Sequence, residues 1–149
     1  MALIANQDKD AFFREVEAAA KKAIWCAMAT VSGNEPRVRM VHPTWEGDTL
    51  WIATGPQTAK VGEIQINGAV DIQFQVAPDD FIHLLVRGTA SILTDQPTKD
   101  RIWDVMDYDL AQFWPEGPAS PDYCVVKVQP LRVELSQMFG TMNKRVWKR

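Results

Sequence analysis

The chain has 149 residues, 46% of them apolar and 23% charged, with a formal net charge of -3. That length fits one domain over residues 1–149, large enough to bury roughly two-thirds of the surface its unfolded form exposes, and the composition excludes a disordered chain. Both signs of charge are scattered, so no basic face for nucleic acid is expected. No apolar stretch approaches the roughly 20 residues that cross a bilayer, and no basic-then-apolar leader opens the chain, so a cytoplasmic protein without membrane contact is expected. The elements follow in chain order. A helix is predicted first, capped by Asn6 or Asp8, with Phe12, Val16, Ala19, Ala20 and Ala23 at helical spacing and Arg14, Glu15, Glu17 and Lys21 on the other side. The apolar run Trp25–Val31 reads as a strand ending in the turn cluster Ser32–Pro36, and Arg37–His42 alternates charged and apolar residues as a second strand. Thr49–Thr54 is a third strand, followed by the loop Gly55–Thr58 and a short helix, Ala59–Ile66, closed by Asn67-Gly68.

Ala69–Val76 alternates again, and Ala77–Asp80 is expected to turn the chain into Phe81–Leu93. That run is too long for one straight strand, and Gly88 is where a bulge or barrel corner belongs. Asp95 to about Asp107 reads as a helix, followed by the Pro/Gly-rich loop Phe113–Pro121 and a long final strand, Tyr123–Gln137, broken at Pro130. The basic stretch Lys144–Arg149 reads as a short solvated tail. Six strands, mostly in hairpins, with three helices cannot form an alternating parallel sheet. The expected class is α+β, mainly β: a small antiparallel barrel with flanking helices.

Cys26 and Cys124 both sit in apolar runs and fit no zinc or disulfide pattern, so they read as small buried residues of a reducing compartment. Two histidines without ligand spacing give no metal site, no Gly-x-Ser-x-Gly elbow occurs, and Asp79-Asp80 is a turn rather than a carboxylate pair. Arg37 and Arg39 are two apart on a strand and so share a face. They either decorate an exposed edge or flank an anion. Thr58 and Lys60 stand at the start of a helix, whose first N–H groups favour negative charge. Each alone is a cap or a surface lysine; together with the arginines they can build a phosphate pocket that is not a Walker loop. His83, between Ile82 and Leu84, is either a sheet histidine or a ligand contact, and Trp114 in its loop can cover a planar ligand.

The succession Pro36-Arg37-Val38-Arg39-Met40-Val41, Leu50-Trp51-Ile52-Ala53-Thr54, Thr58-Ala59-Lys60-Val61-Gly62-Glu63-Ile64 and Val86-Arg87-Gly88-Thr89-Ala90 resembles the pyridoxamine 5′-phosphate oxidase-like superfamily, in its short general stress protein branch. The resemblance runs from about residue 24 to 137. It implies a six-stranded split barrel that forms a homodimer with two FMN sites at the interface. Carried over by position, Arg39 pairs with the FMN phosphate, helped by Lys60 and the Thr58 hydroxyl. The backbone of Met40 and Val41 lines the isoalloxazine ring, while Trp51, Ile52, Ala53 and Thr54 flank ring and ribityl chain. His83 falls near a position from which the second subunit reaches the flavin. Two departures stand out: Ser136 where relatives often carry Trp, and Met138–Asn143 without the Arg/His-rich segment that grips pyridoxamine phosphate. The resemblance therefore implies an FMN-dependent oxidoreductase that does not oxidise vitamin B6, with an unknown redox partner. Two rivals are a flavin-binding or sensing module without turnover, and a split barrel holding haem, with His42 or His83 as axial ligand, or a deazaflavin.

Overall fold

The computed structural model describes residues 1–23, 25–76 and 81–149. The turn expected over residues 77–80, with its Asp79-Asp80 pair, lies outside the described residues. Three helices and nine strands make up the rest: β1 (Ala2–Leu3), α1 (Lys9–Ala20), β2 (Cys26–Ser32), β3 (Glu35–Val41), β4 (Thr44–Glu46), β5 (Thr49–Thr54), α2 (Ala59–Ile66), β6 (Ala69–Phe74), β7 (His83–Leu93), α3 (Gln96–Val105), β8 (Cys124–Gln137) and β9 (Met142–Lys148). The mainly-β α+β class is the one expected, but the strand count is nine rather than six. The strands lie in the order β1-β9-β8-β7-β6-β2-β3, with β5 on β8 and β4 on β5, an open sheet. Among the described residues, only β1–β9 is parallel.

The spine is β8. One edge pairs with β7 along its whole length; the other pairs with β5 over Cys124–Val128 and with β9 over Arg132–Gln137. Pro130, which has no N–H to give, sits opposite Gly88, and the register shifts between Arg87 and Gly88. The expected corner is there, although β8 runs unbroken through Pro130. A Cβ at position 88 would stand 2.6 Å from the Gln129 carbonyl oxygen. Gly88→Ala is expected to destabilise the fold by about 1–3 kcal/mol, read as a lowered denaturation midpoint; an unchanged midpoint would remove the steric role.

Two missed strands, β1 and β4, are too short to show a period of two. The third is a correction of substance. The basic tail is not solvated, because Val146 and Trp147 within it are 0% and 3% exposed. Alternation sends them to opposite faces, and the Trp147 ring meets Phe13 of α1 edge-on at 4.9 Å. The basic side chains clasp the core from outside: Arg145 bonds Glu15 at 2.7 Å, and Arg149 reaches Asp48 at 3.2 Å, where Lys9 also binds at 2.7 Å.

Alternation also separates two cores. Leu50, Ile52, Val126 and Val128 face the main core under α1, with Phe12, Phe13, Val16 and Trp147. Trp51 and Val125 face the other way, into a smaller core with Ile102 of α3, Met106, Leu110 and Tyr123. Asp95 caps α3 by accepting the Thr98 N–H at 3.1 Å. Both cysteines are buried and unpaired, and burial pushes the Cys26 thiol up to about 12. Among the described residues, no helix is long and apolar enough to cross a membrane.

Candidate functional site

Strand β3 lies at the end of the sheet order. Its two arginines share a face, as their spacing requires, yet do different things. Arg37 is turned to Glu35 at 2.7 Å on an exposed surface and joins no pocket. Arg39 is held inside. Its Nη1 donates to the Thr30 hydroxyl (2.7 Å) and the Met28 carbonyl (3.2 Å), and its Nη2 donates to Glu63 Oε1 at 2.6 Å. The Thr30 hydroxyl donates to the same carboxylate oxygen at 2.8 Å, closing a three-residue network between β2, β3 and α2. Glu63 reaches it from one turn inside α2, whose buried residues Val61 and Ile64 hold the helix on the sheet.

Lys60, at the start of the same helix, donates to the buried Thr54 hydroxyl at 2.8 Å. Burial foremost, and then the positive charge of Arg39, lower its ammonium pKa, against weaker support from Cys124 and Glu63. An anion near this lysine would relieve that strain. Thr58 stands at the helix N-cap, but its hydroxyl donates to the Gly55 carbonyl at 2.8 Å instead of accepting from the helix.

Lys60 opens into a cavity of about 350 Å³, within the range of small-molecule sites. Met40 and Val41 of β3 and Ile52 and Ala53 of β5 form one wall; Tyr108, Gln112, Phe113 and Trp114, from the segment after α3, form the other. His42 and Trp25 complete the rim. The aromatic wall is fixed in place. His42 stacks on Tyr108 with centroids 4.0 Å apart, and its Nε2 lies 3.2 Å from Asp107 Oδ1. The Trp114 indole N–H donates to the Asp122 carbonyl at 2.7 Å. Burial foremost, then the Asp107 charge, pushes the Tyr108 phenol up to about 12, so it stays neutral at ordinary pH.

Of the residues singled out by sequence, Met40, Val41, Ile52, Ala53, Lys60 and Trp114 line this cavity, and Thr54 bonds the lysine. The Trp51 side chain does not: it points into the smaller core, its indole N–H donating to Glu46 at 3.1 Å. His83 is placed at the start of β7 opposite Ser136, at the other end of β8 from Cys124, with Nε2 3.9 Å from Glu134 Oε1. Within its own chain it is outside the cavity. Sequence reasoning missed His42 as a wall residue, Tyr108, Gln112, Phe113 and Trp25, and missed Glu63 altogether. Only the aromatic pair in the Pro/Gly-rich loop carried a usable signal.

A family model for pyridoxamine 5′-phosphate oxidase matches residues 12–137 of the chain. General stress protein 26 of Bacillus subtilis (strain 168) is 26% identical over 111 residues, 73% of this chain and 76% of that protein. The crystal structure of a protein related to general stress protein 26, from Clostridium acetobutylicum, matches with a TM-score of 0.76 at 20% identity, covering 93% of this chain and 95% of the other. That of a pyridoxamine 5′-phosphate oxidase-related, FMN-binding protein from Nostoc punctiforme PCC 73102 gives 0.71 at 18% identity, covering 98% and 92%. At these identities the two structures establish a shared fold.

Proposed function

This chain belongs to the pyridoxamine 5′-phosphate oxidase family, and on that premise we propose that it is a flavin-binding redox protein holding FMN in the cavity between β3, β5 and the segment after α3. One observation carries the reading. A slot with aromatic and aliphatic walls ends at a half-buried lysine, with the Arg39 guanidinium in electrostatic reach. Flat apolar walls suit a fused aromatic ring, and clustered cations in a partly desolvated corner suit a phosphate monoester. Lys60 and the donors of Arg39 not used internally would hold the phosphate, and the backbone of Met40 and Val41 would run along the ring. Trp114, pinned by its bond to Asp122, would cover the ring from the loop side. When bound, FMN supplies hydride transfer; the chain orients it and keeps water off the ring.

The cavity is incomplete at its mouth, where Trp25, Met40 and Phe113 are 53%, 49% and 60% exposed. A second copy of the chain covering this rim is the natural completion, and His83 would act across that interface. Met138–Asn143 brings no arginine or histidine, which supports a substrate other than pyridoxamine phosphate. An oxidoreductase that acts through bound FMN needs a small-molecule redox partner.

Purified protein is expected to be yellow, to release a ligand of the mass of FMN on denaturation, and to bleach anaerobically with NADH or NADPH. A deazaflavin mass or a Soret band would replace FMN with one of the rival ligands. Colour without bleaching by either nucleotide would favour a carrier or sensor.

A further inference from the structure

Glu63 is the residue of the cation cluster that a phosphate site does not need. Its side chain is 12% exposed and that of Arg39 is 22% exposed, so both are largely withdrawn from water. Its Oε1 receives two hydrogen bonds, from Arg39 and from Thr30. An arginine has five N–H donors. Three contacts occupy Arg39: two from Nη1 and one from Nη2. Its Nε–H and one Nη2–H have no partner among the described residues, and free guanidinium donors of this kind bind oxyanions by charge-assisted hydrogen bonds. The carboxylate therefore does two opposed things. It locks the guanidinium in one orientation, and it cancels the charge that the orientation would offer. With Arg39 and Lys60 each positive and Glu63 negative, the cluster presents a net charge near +1 to a ligand group carrying close to -2.

The geometry points to Glu63 as the residue that sets the phosphate selectivity of this site: it positions Arg39 for a phosphate monoester while holding the preference for phosphorylated over unphosphorylated flavin to a modest value. This rests on the FMN reading above. Gln at position 63 keeps the acceptor that orients Arg39 and Thr30 and removes only the negative charge; Ala removes both. A purely structural role would make both substitutions harmful, whereas a tuning role makes them diverge.

The test is binding of FMN and of riboflavin, separately, to apo wild-type protein, Glu63→Gln and Glu63→Ala, by fluorescence quenching at fixed ionic strength. Two uncompensated charged hydrogen bonds would favour FMN by a hundredfold or more, up to about ten-thousandfold; the wild type is expected to favour it by about thirtyfold. Glu63→Gln is expected to bind FMN about tenfold more tightly with riboflavin changed less than about twofold, and Glu63→Ala to bind FMN more weakly than Glu63→Gln. FMN affinity that is unchanged or lower in Glu63→Gln, or a parallel shift for both ligands, overturns the assignment. A wild-type preference above about a thousandfold overturns it without any variant. If the wild type binds neither flavin, the FMN reading itself falls and this inference with it. Binding of both flavins with no selective change in Glu63→Gln sinks the inference alone.

Discussion

Replacing Trp147 with alanine is expected to cost about 3–5 kcal/mol of folding stability, the range for emptying a large aromatic site in a core. The indole is 3% exposed and packs edge-on against Phe13 at 4.9 Å. Lys9 Nζ and the Arg149 guanidinium each lie 5.3 Å from its ring centroid, so two cations lose an aromatic face as well. The neighbours have little means of collapsing into the gap, because β9 is tied to β8 on one side and to β1 on the other. Equilibrium urea unfolding measures the effect as a lower midpoint at similar slope. A loss below about 1 kcal/mol would mean that the last strand is as dispensable as its basic composition suggests.

The second large effect concerns Lys60, at the cavity, and Arg39 near it. Lys60→Ala is expected to weaken FMN binding by about 1.5 kcal/mol, and Arg39→Ala by about 2 kcal/mol, the latter close to the whole of a thirtyfold phosphate preference. The order has a physical cause. Removing Lys60 leaves Arg39 and Glu63 paired, whereas removing Arg39 leaves the Glu63 carboxylate facing the phosphate with no counter-ion. Arg39→Ala is therefore also expected to be the less stable protein of the two, since a largely buried carboxylate loses its partner. Titration of apo protein with FMN, alongside thermal denaturation, separates the two consequences. Equal and undiminished FMN affinity in both variants would remove the phosphate assignment.

Local patterns made much of this fold legible before any coordinates. The helix from Ala59 to Ile66 is bounded by Thr58 and by Asn67-Gly68, and the structure has it over that span. Six strands announced themselves by alternation or by short apolar runs, and Gly88 marked the corner of β7 because no other residue tolerates the close approach to Gln129. What escaped was non-local. Lys144–Arg149 looks like a solvated tail because four of its six residues are cationic; nothing within it says that Glu15 and Asp48, far back in the chain, supply the counter-charges. The far wall of the cavity escaped for the same reason, since Tyr108 meets His42 across 66 positions of sequence. A phosphate-binding role for Arg39 is what the family resemblance implies for its place on the strand. That its first partner is a carboxylate 24 positions later could be seen only once α2 lay over β2 and β3.

The meeting of Phe13 with Trp147 has a bearing on the order in which the molecule assembles. It joins two points about 130 residues apart, and closing so long a chain costs on the order of 4 kcal/mol in entropy before any packing repays it. Helix α1 therefore has no finished seat until the hairpin of β8 and β9 has formed at the other extreme of the polypeptide. Early collapse is expected from the nearer partners, β2 with β3 and β6 with β7, and the first helix is expected to complete its docking only after them.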